Sequence, residues 1–146
     1  MSTAGPIPLQ TVFAKKCLAT LQHALEAIAQ TAEDSVHRDI YRAACVKEFE
    51  IVLEQCGKLL KKTLRAYVGN PRQIDELNFK DVFRHGALHG LLSLEQSERW
   101  LIYRDNRNDT AHDYGENFAN ETLKLLPQFI QDAKALLNTI ETKSGD

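Results

Sequence analysis

Arg104-Asp105-Asn106-Arg107-Asn108-Asp109-Thr110-Ala111-His112-Asp113-Tyr114 is the densest polar run on any helical pattern in the sequence. At about 100° per residue, Asp105, Asp109 and His112 fall on one face with Asn108 beside them. A carboxylate placed there can orient the imidazole and raise its pKa. Arg107 lies about 140° around the helix from His112. Its long side chain, and a helix end near Asp113, let both groups reach one phosphate. Arginine offers a permanent charge with bidentate donors for a phosphoryl oxygen, and histidine moves protons near neutral pH. The pair therefore suits phosphodiester chemistry. By spacing alone the same segment equally fits a solvated helix end rich in Asp, Asn and Arg.

Lys58, Lys61, Lys62 and Arg65 fall on one helical stripe, either a phosphate track or an ordinary solvated lysine face. Arg99 and Arg104 extend such a track toward Arg107. His85 and His89 stand four apart, a spacing that can chelate a metal, but Gly86 breaks the H-E-x-x-H pattern and no third ligand is evident. Arg104 and Arg107 would compete with a cation among Asp105, Asp109, His112 and Asp113, so no metal and no cofactor are expected. Cys17, Cys45 and Cys56 are odd in number and form no CxxC pair, which excludes a disulfide framework and points to core thiols. His23 and His37 are isolated and expected at the surface.

The elements that must hold these residues read as helices. Seven Gly and four Pro in 146 residues are few turn-formers, which disfavours a barrel or sandwich of many short strands. The 43% hydrophobic and 26% charged content disfavours disorder. The net charge of −2 excludes a protein that coats nucleic acid nonspecifically, so any such contact is local. Apolar residues recur at helical spacing from Leu9 through Val12, Phe13, Cys17, Leu21 and Leu25 to Ile28. A longer second pattern runs from Val36 and Ile40 to Leu64 and stops near Gly69-Asn70-Pro71. Asn78 with Asp81 opens a short helix ending at Gly90, and the capping box Ser93/Gln96 opens another that runs toward His112. The last pattern spans Phe118 to Ile140, with Pro127 kinking or restarting it. These residues predict a single all-α domain over 1–146, an antiparallel four- to five-helix bundle with flexible ends at 1–8 and 142–146. No apolar run approaches the ~18 residues that span a bilayer, and no charged segment followed by an apolar run opens the chain. A cytoplasmic protein without membrane contact is expected.

Arg107-Asn108-Asp109-Thr110-Ala111-His112-Asp113-Tyr114 resembles the R-x4-H-x-Y signature of HEPN-domain proteins, in particular the HepT toxin branch. That branch overlaps the family described as the substrate-binding subunit of a minimal nucleotidyltransferase. Arg38-Asp39, Phe49-Glu50 and Lys58 are similar to the family's long second helix. Gly90-Leu91-Leu92 and Trp100 are similar to its third and fourth. The likeness covers residues 9 to 140 in order and spacing, with Cys56 departing where an aromatic often precedes the lysine. The resemblance implies a homodimer whose R-x4-H residues lie near the dimer cleft and cut RNA, often tRNA, without a metal. Arg107 would bind the scissile phosphate, and His112 would act as general acid or base for attack by the 2′-hydroxyl. Tyr114 would receive AMP from the cognate nucleotidyltransferase antitoxin. An earlier helix would supply an acidic residue, for which Asp39 and Glu50, sharing a face with Arg42 and Val46, are the candidates; a salt bridge within or between helices is the other reading of them. The alternative function is a non-catalytic subunit that presents a substrate or nucleotide to the nucleotidyltransferase.

Overall fold

The computed structural model describes the backbone of residues 7–68, 70–109 and 116–144, and the side chains of 10–68, 70–107 and 118–143. Six helices follow one another among these residues: α1 (Ile7–Ile28), α2 (Val36–Arg65), α3 (Pro71–Asp75), α4 (Phe79–Leu88), α5 (Leu94–Asp109) and α6 (Glu116–Ser144). The all-helical expectation is met, and no strand occurs among the described residues. The addition is α3, a single short helix after the Gly-Asn-Pro break. Asn70 caps it by accepting from the Arg72 amide at 3.1 Å, and Pro71 stands at its first turn. α1 and α6 both reach into the segments expected as flexible ends.

The caps read from the sequence form as drawn. Ser93 and Gln96 make a reciprocal capping box, with the Gln96 amide donating to Ser93 Oγ at 3.0 Å and the Ser93 amide to Gln96 Oε1 at 2.8 Å. Asn78 accepts from the Asp81 amide, and Ser35 from the Arg38 amide. Arg38 also donates from Nη1 to the carbonyl of Ile28 at 3.3 Å, satisfying the end of α1 from the start of α2. Gly90, at φ +76°, turns the chain from α4 into α5 in a conformation that disfavours any Cβ. Pro127 neither restarts nor interrupts α6; it lies exposed, where water can take the carbonyl its ring leaves unbonded.

Pairs along the helices fix their directions. Arg38 meets the end of α1, and Lys62 near the end of α2 meets Gln10 at the start of α1, so α1 and α2 are antiparallel. Lys15 on α1 meets Asn138 and Glu141 late in α6, so these two are antiparallel as well, and α2 and α6 run the same way. Arg99 pairs with Asp132 and Asn106 with Thr122, which sets α5 antiparallel to α6. Where α2, α4, α5 and α6 meet, Phe49, Phe83, Trp100, Tyr103 and Phe129 form an aromatic cluster with ring centroids 4.7 to 5.5 Å apart. Offset and edge-on contacts of this kind add to the area that the rings bury. The three cysteines are buried and unbridged, as expected. Val12, Phe13, Val36 and Ile40, read as members of apolar faces, are instead exposed, as is Leu88 at the end of α4. Val36 and Leu88 stand at helix ends, whereas Val12 and Phe13 lie between the fully buried Thr11 and Ala14 and so face outward from α1.

Candidate functional site

α5 carries Arg104, Asp105 and Arg107, and its inner face is anchored at two levels. Nearer its start, Asp132 of α6 is buried at 3% exposure and receives four hydrogen bonds. Arg99 donates from Nε at 2.8 Å and from Nη2 at 2.7 Å, Tyr103 from its hydroxyl at 2.6 Å, and Gln128 from its amide at 3.3 Å. The bidentate fork holds the Arg99 guanidinium more firmly protonated than usual. Burial, and then the bond to Asp132, push the Tyr103 phenol well above its ordinary value, which keeps it a donor. One turn past Tyr103, Asn106 donates to Thr122 Oγ1 at 2.9 Å. The part of α5 that bears Arg104 and Arg107 is thus held in both position and rotation.

On the other side of α5, Glu54 of α2 is the meeting point. Arg104 Nη1 pairs with Glu54 Oε1, and Arg107 Nε stands 3.4 Å from the same oxygen. The two arginines are three apart and share a helix face, as this requires. The Arg104 guanidinium also lies over the Phe79 ring at 4.7 Å from its centroid, a cation–π contact. Phe79 can stand there because residue 57 on α2 is glycine: a Cβ at Gly57 would come within 2.6 Å of the ring. Beside them Lys80 pairs with Asp105 at 2.5 Å. The side chains of Arg107 and Glu54 are each 37% exposed, so the cluster opens to solvent. Among the described residues two guanidiniums meet one carboxylate here, an arrangement that suits an anion arriving from solvent.

The other expected site residues are distributed as follows. Arg99, expected to extend a track toward Arg107, is turned onto Asp132 instead. Asp39 pairs with Arg42 at 3.1 Å in the first turn of α2, some fifteen residues and about 22 Å along the helix from Glu54. Glu50 lies half-buried one turn before Glu54. Lys61 donates to the carbonyls of Asp75 and Leu77, Lys62 to Gln10, and Arg65 pairs with Asp75 at 2.8 Å, while Lys58 is exposed. His112, Asp113 and Tyr114 lie outside the described residues, as do the side chains of Asn108 and Asp109. His23 and His37 are exposed; His89 caps α4 with its ring 6.1 Å from that of Tyr67.

Sequence reasoning missed Glu54, Gly57 with Phe79, and Asp132. Extending the face of Asp39, Arg42, Val46 and Glu50 by one more turn reaches Glu54. Asp132, a charged residue at the spacing of Phe129 and Leu136, marks an acid on the apolar stripe of α6 and hence a buried pair.

The family model for proteins described as nucleotidyltransferase substrate binding protein like matches residues 14–142. A Haemophilus influenzae protein named "Probable ribonuclease HepT" is 28% identical over 112 residues, 77% of this chain and 75% of that protein. A solved structure from Haemophilus influenzae, described as revealing the fold of a substrate binding domain of a nucleotidyltransferase, is similar with a TM-score of 0.78 at 23% identity, covering 90% of this chain and 98% of the other. A crystal structure from Thermus thermophilus is similar with a TM-score of 0.70 at 29% identity, covering 87% of this chain and 98% of the other. With the family match running from α1 to α6, this chain belongs to the nucleotidyltransferase substrate binding protein-like family.

Proposed function

We propose that the protein is a metal-independent endoribonuclease, the toxin of a pair whose other member is a minimal nucleotidyltransferase, and that its substrate is RNA, in the first instance tRNA. The observation that carries this reading is the convergence of Arg104 and Arg107 on Glu54 in a cluster open to solvent, with Arg107 five residues before His112 in the R-x4-H-x-Y run. The likeness to a protein named a probable ribonuclease supports it. Arg107 binds the scissile phosphate and offsets its growing charge. His112 takes the proton from the 2′-hydroxyl or gives one to the departing 5′-oxygen. The new bond joins O2′ to phosphorus as the bond to O5′ breaks, leaving a cyclic phosphate. Such a reaction is accessible because its nucleophile is already part of the substrate. Asn108, Asp109 and Asp105 support the histidine. The protein acts as a homodimer in the cytoplasm, and Tyr114 is the hydroxyl to which the partner transfers AMP, adding bulk and negative charge where RNA docks.

End-labelled total tRNA incubated in EDTA with the purified protein tests this directly. The expected result is cleavage by the wild type that Arg107→Ala and His112→Ala both lose. Uncut RNA from protein whose Tyr114 is unmodified by mass spectrometry overturns it for that substrate. The second reading then leads: a docking subunit that presents a substrate or nucleotide to the nucleotidyltransferase, favoured by the description of the family itself.

A further inference from the structure

Beyond the arginine cluster, the same face of α2 continues as a row of cations. Lys58, Lys61 and Arg65 follow Glu54 at steps of four, three and four residues, which keeps all four within about 60° of one another around the helix. They rise over about 16 Å from the Glu54 level. Beside the last of them a groove of about 370 Å³ opens between α2, the start of α1 and α3. Lys58, Lys61, Lys62 and Arg65 line it together with Gln10 and Gln55, and its one acidic group among the described residues is Asp75. Arg65 takes Asp75 at 2.8 Å. The lysines are held without being neutralised: Lys61 donates to two backbone carbonyls at 3.1 and 3.2 Å, Lys62 to the side-chain oxygen of Gln10 at 2.9 Å, and Lys58 is exposed. Neutral oxygens fix the position of an ammonium and leave its charge in place. The result is a concentration of positive charge on a chain whose net charge is −2.

We infer that this groove binds the phosphate backbone of a single RNA strand whose scissile phosphate sits at the Arg107 cluster, so that α2 carries the flanking nucleotides away from the point of attack. The inference rests on the ribonuclease reading above and adds to it the substrate's path. A polyanion fits better than a mononucleotide because the charges extend along the helix for more than about ten ångströms past Glu54. Backbone contact fits better than base recognition because no aromatic ring among the described residues lines the groove, so a base has nothing on which to stack. Affinity from the groove is therefore sequence-independent and set by counterion release.

Fluorescence anisotropy with a labelled 2′-O-methyl oligoribonucleotide, whose nucleophile is blocked, measures this binding without cleavage. The Lys58→Gln/Lys62→Gln variant is expected to lose on the order of tenfold or more in affinity at about 0.1 M salt, and its slope of log K against log salt should shrink by about 1.4. Lys58→Gln alone, at an exposed position that leaves the fold intact, should shrink it by about 0.7. The same variants should cut tRNA more slowly than the wild type does. Affinity and slope equal to wild type in both variants overturn the inference, and if Arg107-dependent cleavage persists in that case the ribonuclease reading still stands. Lysine-dependent binding with no cleavage by any protein does the reverse: it retains the groove and removes the nuclease.

Discussion

Two carboxylates join α5 to its neighbours through arginine, and they do so under opposite conditions. Asp132 is buried at 3% exposure, receives a bidentate arginine, a tyrosine hydroxyl and an amide, and has its charge met by one arginine. Glu54 is 37% exposed and stands between two arginines, one of which is itself stacked on an aromatic ring. The first arrangement uses its hydrogen-bonding capacity internally and faces no solvent on the acid side. The second, among the described residues, sets two guanidiniums against one carboxylate beside water. Residue types alone do not separate a structural ion pair from a binding site; burial and charge balance do. The contrast also assigns the two a division of labour, with the Asp132 clamp setting the rotation of α5 that aims Arg104 and Arg107 at α2.

The largest effect should come from breaking the clamp. Asp132→Ala removes four hydrogen bonds, leaves the buried Tyr103 hydroxyl without its acceptor, and strands Arg99. Loss of one partner of a buried pair costs about 3–5 kcal/mol. Because the Arg99 side chain keeps 28% exposure and can turn to water, the low end applies, about 3 kcal/mol or a fall in Tm of roughly 6–12 °C. Thermal unfolding followed by circular dichroism measures it, and a shift within the noise would mean that the Asp132 clamp does not hold α5 in place.

Gly57→Ala should have a smaller effect, by a different route. Alanine gains about 1 kcal/mol of helix propensity over glycine, but its methyl would stand 2.6 Å from the Phe79 ring. Overpacking of this kind costs about 1–3 kcal/mol, so a net loss of about 1 kcal/mol is expected. The ring is backed by Phe83 at 4.8 Å and covered by Arg104, so it cannot swing aside without disturbing the cluster. A Tm that rises in Gly57→Ala would show that Phe79 yields freely and that the close approach of α2 and α4 does not position Arg104.

How much of this was legible in the sequence follows from the range of the interactions. Helix starts were legible because a cap is a bond between residues three apart, as at Ser93/Gln96 and Asn78/Asp81. The core was legible where apolar spacing meets a neighbour on every turn, and failed at Val36, the first residue of α2, and at Val12 and Phe13, which face outward beside the buried Thr11 and Ala14. The basic stripe on α2 was visible, whereas its division into Lys61 and Arg65, which hold α3, and Lys58, open to solvent, depended on a short helix the sequence had not announced. Glu54 was missed by one turn, since nothing local distinguishes it from Glu50; only the packing of α5 against α2 selects between them. Arg99 shows the same limit from the other side, as its partner lies 33 residues away.

Glu54→Gln gives the smallest expected change in stability and the sharpest test of the comparison. Ion pairs exposed to this degree contribute about 0–1 kcal/mol, and part of that loss is the repulsion between Arg104 and Arg107 that removing the charge exposes. The expected fall in Tm is at most about 2–4 °C at low salt, and it should shrink toward zero in about 1 M salt, where charges are screened within about 3 Å. The Asp132→Ala loss should persist in the same salt, because a dry pair is screened little. Cleavage of tRNA should fall further in Glu54→Gln than its stability does, since glutamine cannot hold two guanidiniums in register. If Glu54→Gln instead costs as much as Asp132→Ala and the cost survives high salt, then both carboxylates are structural clamps, and the arginine pair at Glu54 gives no ground for an anion site.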